Sequence, residues 1–271
     1  MQPTYQRHTM TTHTALITGA SSGIGAVYAE RLAARGYHLI LVARREARLQ
    51  ALAGQLQSQY GIQADVLTAD LSEERGIHTV EARLQADPTI ALVINNAGTA
   101  KMGGLLASDV ADHQMIHTLN TTALLRLSYA ALAAFQPRGK GTLINIASIL
   151  AIHALPGSAV YSASKAWVLS FTRALQEEFA DSGLRIQAVL PAATATDLWP
   201  TSGVALDALP AGSVMTTEDL VDAALSGLDQ GENITLPPVH DLALWEDFDR
   251  ARVALFGSAR TGQPAPRYRL V

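Results

Sequence analysis

Residues 14–25 read TALITGASSGIG, a β-branched and apolar run that passes through a glycine-rich turn into a helical stretch continuing from Ala26. A strand, a glycine turn and a helix N-terminus in that order make an anion site. The glycines let backbone N–H groups approach a pyrophosphate, and the free amides and dipole of the helix favour its charge. Gly19, Gly23 and Gly25 are spaced G-x-x-x-G-x-G around Ser21, Ser22 and Ile24, which differs from the G-x-G-x-x-G of the commonest dinucleotide fingerprint. Taken alone, the stretch fits a pyrophosphate cradle or simply a tight βα turn.

Outward from this turn, short apolar runs alternate with longer Ala/Leu/Glu/Arg-rich stretches, the pattern of successive β-α-β units around a parallel sheet. Strands are predicted at 14–18, 38–42, 63–68, 91–94, 141–147, 185–190 and 233–236, and helices at 24–35, 45–59, 73–86, 107–135, 160–181 and 217–229. Near-continuous apolarity in the strands predicts helices on both faces, since a one-sided sheet would alternate. Ser72 with Glu73 and Glu74, and Thr216 and Thr217 with Glu218 and Asp219, mark two helix starts. The fold class is therefore α/β, doubly wound and Rossmann-type, with residues 14–271 forming one domain. Residues 192–215 join a strand to a helix through far more than the usual ~2–6 residues, so 195–215 is a candidate substrate lid.

The 271 residues are 48% hydrophobic and 16% charged, against about 25% charged in an average domain, which excludes a disordered chain. A net charge of −4 argues against a nucleic-acid partner. With no cysteine, disulfides, thiol catalysis and Cys-ligated metal sites are excluded, and a cytoplasmic location is the default expectation. The eight histidines lack ligand spacing, so no metal is expected. No apolar run reaches the ~18 residues of a membrane-spanning helix. Residues 1–13, MQPTYQRHTMTTH, lack the apolar core of a secretory signal and read as a flexible tail, with Met10 a candidate start.

An NAD-binding unit places Asp or Glu about 20 residues after the glycines, on the adenosine ribose hydroxyls. Here Ala43 holds that place, followed at once by Arg44 and Arg45. A guanidinium holds a 2′-phosphate by charge-assisted hydrogen bonds of about 1.5–3 kcal/mol each, so the pair predicts NADP(H) over NAD(H).

Tyr161 and Lys165 are four apart on a predicted helix, hence on one face. A phenol with pKa near 10 is a poor acid at neutral pH, but a nearby ammonium favours the phenolate, so the two are expected to form a tuned proton donor. Ser148 lies at the carboxyl end of a predicted strand, where ligands bind in open α/β sheets, and its hydroxyl suits a carbonyl oxygen gaining negative charge.

With TGASSGIG (18–25), Asp70-Leu71, Asn95-Asn96-Ala97-Gly98, Ser148 and YSASK (161–165), the chain resembles the short-chain dehydrogenase/reductase family over about residues 14–236. The resemblance implies a seven-stranded parallel sheet, in agreement with the strands read above. It implies that Tyr161 protonates a carbonyl oxygen in reduction or deprotonates an alcohol in oxidation, while Ser148 orients the substrate. Lys165 would also hold the nicotinamide ribose, and Asn120 would position a water in a proton relay. Asp70 and Leu71 would contact adenine, and Asn96, Ala97 and Gly98 would line the adenosine ribose side. The family usually has Pro-Gly after the sixth strand; this chain has Pro191-Ala192, with Thr194 and Thr196 at positions that hold the carboxamide.

Leu150, His153 and Leu155 beyond Ser148, and Leu198 and Trp199 on the long loop, predict an apolar small-molecule substrate, with His153 either bonding it or facing solvent. Stripes at Leu124, Leu127, Ala131 and Phe135 and at Trp167, Phe171, Leu175 and Phe179 fit an oligomer interface or packing within the chain, and the resemblance implies a homodimer or homotetramer through these helices. The expected activity is reversible NADPH-dependent reduction of a ketone or aldehyde. An epimerase or dehydratase that retains its cofactor, and a non-catalytic NADP-binding regulator, are the competing readings.

Overall fold

β1 (Thr14–Thr18) is buried along its whole length in the computed structural model, which describes residues 13–268. It is the third strand, between β2 and β4, of a parallel sheet ordered β3-β2-β1-β4-β5-β6-β7. The other strands are β2 (His38–Ala43), β3 (Ala64–Thr68), β4 (Ile90–Asn95), β5 (Gly141–Ile146), β6 (Leu184–Val189) and β7 (Ile234–Thr235). Every expected strand is present. Helices α1 (Gly23–Ala34), α2 (Glu46–Tyr60), α3 (Glu74–Ala86), α4 (Val110–His117), α5 (Leu124–Phe135), α6 (Ala159–Glu178), α7 (Leu198–Ser202) and α8 (Thr217–Gln230) belong to the same part of the chain.

Successive strand residues point to opposite faces, and both faces are covered, which is why the strands are apolar throughout. Ala15, Ile17, Leu39 and Leu41 pack with residues of α1, α2 and α8. Leu16, Ile40 and Val42 pack on the other face with residues of α3, α5 and α6. A buried polar chain fixes α5 and α6 to the sheet. Asn95 Nδ2 donates to Ser128 Oγ and to Asn145 Oδ1, and Asn145 Nδ2 donates to Thr172 Oγ1, each at 3.0 Å.

Several details differ from the sequence reading. The helix expected over 107–135 is divided: between α4 and α5 the residues Thr118–Ala123 form a π-helical turn, a local widening common at functional sites. Ser72 does not cap α3; its N–H and hydroxyl both donate to Asp70 Oδ1, at 2.9 and 2.6 Å. Thr216 does cap α8, accepting from the N–H of Asp219 at 3.0 Å. Leu124, Leu127, Ala131 and Phe135, expected at an interface, are buried inside the chain, as is Leu175. They face the sheet because the helix there must cover β4 and β5; Leu125, Tyr129 and Trp167 are the exposed large apolar residues of α5 and α6.

The chain falls into two compact units, with the break between Pro237 and Pro238. The second unit contains α9 (Leu242–Ser258), in which Trp245 stacks on Phe248 at 5.4 Å between ring centroids. Of the expected N-terminal tail, residues 1–12 lie outside the described residues, and the carbonyl of His13 already accepts from the N–H of His38.

Candidate active site

The chain runs from β1 outward to β3, then returns to β4 on the other side of β1. Loops leaving the carboxyl ends of β1 and β4 therefore diverge, and a crevice opens between them. A cleft of about 760 Å³ occupies this place and is lined from end to end by residues of the first unit.

Its first wall is the glycine turn. Gly19 and Gly23 adopt φ of +68° and +55°, conformations that a side chain would strain. Gly25 serves packing: a Cβ there would stand 2.4 Å from the Gly19 carbonyl oxygen. Ser22 precedes α1 without capping it, and the first turn holds no acid, so the helix N-terminus presents free amides. Gly19, Ser21, Ser22, Gly23 and Ile24 all line the cleft, whereas Gly25 lies behind it. The donor set suits the pyrophosphate of a dinucleotide. Thr18 Oγ1 accepts from the N–H groups of Asn96 and Ala97 at 3.0 Å, and Asn96 Nδ2 donates to the Thr18 carbonyl at 2.9 Å. The Asn96 side chain thus stitches the two loops together, while Asn96, Ala97 and Gly98 line the floor.

Arg44, Arg45, Asp70 and Leu71 line one end. Arg44 Nη1 lies 3.8 Å from Asp70 Oδ2. Arg45 turns toward the glycine turn, with Nε and Nη2 donating to Ser21 Oγ at 3.0 and 2.9 Å and Nη2 to Ser22 Oγ at 2.6 Å. It also pairs with Asp197, a residue no motif singled out, whose carboxyl is held below the usual range by Arg45, Ser22 and Arg48.

At the other end lie Ser148, Tyr161 and Lys165, all buried. Ser148 follows β5 and Tyr161 opens α6, and the Ser148 hydroxyl stands beside the phenol. Ser148 Oγ accepts from the N–H of Leu150 at 3.1 Å. Lys165 Nζ lies 5.8 Å from the Tyr161 ring centroid and donates to the Ile146 carbonyl at 2.9 Å. Burial raises the Tyr161 pKa, an effect the adjacent Ser148 hydroxyl opposes, and burial lowers that of Lys165 to about 8. The expectation that the ammonium lowers the phenol is thus not met in the cofactor-free chain: desolvation acts on both groups and dominates.

Asn120 sits on the π-helical turn behind this wall rather than in the cleft. Its Oδ1 accepts from the N–H of Thr99, and its Nδ2 donates to the Thr99 carbonyl, both at 2.9 Å. Lys165 and Asn120 converge on Gly98, where a Cβ would stand 3.2 Å from Asn120 Oδ1 and 3.7 Å from Lys165 Nζ. Pro191, Thr194 and Thr196 line the cleft, and Thr194 Oγ1 donates to the Ala192 carbonyl at 3.1 Å. No described residue other than glycine has positive φ, so Ala192 stands without strain where the family usually has Gly.

Leu150, Leu155, Leu198 and Trp199 line the apolar end, joined by Met102, Met115, Leu119, Val204 and Leu209; His153 is exposed and takes no part in the lining. Met102 and Met115 carried no motif signal, because they reach the cleft from the loop after β4 and from α4. The segment 195–215 leaves and returns through a bridge between Thr194 and Met215. Trp199 Nε1 donates to the Thr194 carbonyl at 2.6 Å, and the Ser202 carbonyl accepts from the N–H of Met102 at 2.7 Å, so the segment is tied to both sides of the cleft.

Among the described residues no group of acids and histidines is placed to hold a metal ion, and no helix is long and apolar enough to cross a membrane. A family model described as short chain dehydrogenase matches residues 13–204. A short-chain dehydrogenase from Sphingobium yanoikuyae, solved in complex with NADPH, is similar at 45% identity and TM-score 0.92, covering 95% of this chain and 100% of that one. A bulky-bulky ketone specific alcohol dehydrogenase from Comamonas testosteroni is similar at 40% identity and TM-score 0.88, covering 96% and 99%. The human inactive hydroxysteroid dehydrogenase-like protein 1 is 32% identical over 186 residues, covering 68% of this chain; the chain spans only 56% of that relative's length. This chain belongs to the short-chain dehydrogenase family, and its sheet is seven-stranded and Rossmann-type.

Proposed function

We propose that this protein is an NADP(H)-dependent carbonyl reductase that converts a bulky apolar ketone or aldehyde reversibly into an alcohol. The carrying observation is that buried Ser148, Tyr161 and Lys165 stand together at the apolar end of a cleft whose other end carries Arg44 and Arg45. NADPH in the Sphingobium relative and the ketone preference in the name of the Comamonas relative support it.

The dinucleotide, when bound, supplies the hydride, so the protein's tasks are orientation and proton delivery. Ser148 Oγ donates to the substrate oxygen as negative charge develops there. Tyr161, kept protonated at neutral pH by burial, delivers its proton to the same oxygen. Lys165, close to half-titration at pH 8, holds the ribose hydroxyls and returns a proton toward the phenol. Asn120 fixes the loop at Thr99 and with Lys165 defines the path toward solvent. Arg44 and Arg45 take the adenosine 2′-phosphate, with Asp70 and Leu71 against adenine.

A panel of ketones and secondary alcohols, followed at the nicotinamide absorbance with each cofactor, tests this reading. Consumption of NADPH by an apolar ketone is expected; no net oxidation or reduction with any member would favour a cofactor-retaining epimerase or dehydratase. Exposed Leu125, Tyr129 and Trp167 support a homo-oligomer built on α5 and α6, and a sedimenting monomer would reject it.

A further inference from the structure

β6 and β2 are separated in the sheet by β5, β4 and β1, about 19 Å at the usual strand spacing. The chain covers that distance between Val189, the end of β6, and Asp197. On the way it passes over the glycine turn, for the Thr196 methyl lies 3.2 Å from where a Cβ on Gly23 would stand. Asp197 Oδ2 then accepts from Arg45 Nη1 at 3.2 Å and from Arg48 Nη1 at 3.0 Å, on the far bank.

Two serine hydroxyls and this carboxylate engage the Arg45 guanidinium. A carboxylate and a phosphate offer a guanidinium the same geometry of acceptor oxygens, so they compete for it. We propose that Asp197 is a specificity-determining residue: a place-holding anion that occupies Arg45 until the 2′-phosphate displaces it, and so limits the preference for phosphorylated dinucleotides. Arg48 retains the displaced carboxylate, so the crossing segment stays anchored after the exchange. The proposal rests on the NADP(H) reading above.

Calorimetric titration of the full chain with adenosine 2′,5′-bisphosphate and with adenosine 5′-monophosphate separates the two ideas, because these ligands differ only in the 2′-phosphate. Asp197→Asn is expected to bind the bisphosphate about three- to fivefold more tightly, the upper scale of an exposed ion pair, with the monophosphate unchanged within about twofold. Asp197 makes no side-chain cap to α7, so the variant keeps that helix. Asp222→Asn, on α8 against Arg31, makes the same change of net charge and is expected to alter neither affinity. Unchanged bisphosphate affinity in Asp197→Asn, equal gains for both ligands, or an equal gain in Asp222→Asn would each overturn the proposal. A wild-type protein that does not prefer the bisphosphate would overturn the NADP(H) reading and the proposal with it.

Discussion

Lys165 stands one helical turn from Tyr161, yet its ammonium donates to the Ile146 carbonyl rather than to the phenol. Both side chains are buried, so each is pushed toward its uncharged form: the phenol titrates above its ordinary value and the lysine near pH 8.

Burying the lysine makes stability depend on pH. An unfolded lysine titrates near 10.5 and the folded one near 8, so between those values the unfolded chain binds more protons and stability rises with pH. Below pH 8 the full cost of the buried charge is present. Lys165→Met is expected to stabilise the cofactor-free protein by about 2 kcal/mol at neutral pH, after allowing for the lost Ile146 hydrogen bond. Its advantage should shrink from pH 8 upward, pass through zero roughly 1.5 pH units higher and reverse beyond that as the lost Ile146 hydrogen bond comes to dominate. Thermal unfolding from pH 6 to 10 measures this; a constant offset between variant and parent would contradict it.

Tyr161→Phe removes the proton donor and little else, because the ring beside the Lys165 ammonium is kept. Its kcat is expected to fall by about 10²–10⁴-fold, the range of general acid catalysis, with the dissociation constant for NADPH within a few-fold of the parent. Single-turnover rates together with quenching of tryptophan fluorescence separate those effects.

Trp199 lines the apolar end of the cleft, and its indole bond to Thr194 fixes the crossing segment. Trp199→Ala is expected to raise KM for a bulky ketone about 5- to 50-fold, as an apolar wall and one hydrogen bond are lost. Steady-state kinetics at saturating cofactor decide it, and unaltered kcat and KM would show that the segment is no lid.

Gly25→Ala tests the inner packing of the glycine turn. The added methyl would stand 2.4 Å from a backbone oxygen and 2.7 Å from Asn96 Nδ2, neither of which can retreat without opening the β1 and β4 loops. A loss of stability of about 1–3 kcal/mol and at least tenfold weaker binding of adenosine 5′-monophosphate are expected, read by denaturant unfolding and calorimetry.

Much of this molecule is legible in its sequence because the deciding signals are local. TGASSGIG binds a strand, a turn and a helix into consecutive residues, and Ser148, Tyr161 and Lys165 each follow from their place at a strand end or on one helix face. What was not legible depends on distance. Asp197 meets Arg45 across 152 positions, and apolar periodicity carries no trace of an ion pair. The break between α4 and α5 escaped because Thr118–Ala123 keeps helical spacing and differs only in hydrogen-bond pattern. Leu124 and Phe135 form a stripe whichever partner covers them, so the sequence could not say that the partner is their own sheet. α9 went unread because its apolar residues are not gathered on one face, as the absence of any buried residue along it reflects.

The bridge between Thr194 and Met215 places the two ends of the intervening segment side by side, with the N–H of Met215 on the Ala193 carbonyl and that of Ala195 on the Met215 carbonyl. Doubling such an excursion costs only about 0.6 kcal/mol of closure entropy. The segment is therefore a cartridge: longer or shorter replacements can be plugged into the same socket, reshaping the apolar end of the cleft while the sheet and the wall of Ser148, Tyr161 and Lys165 beneath it stay as they are.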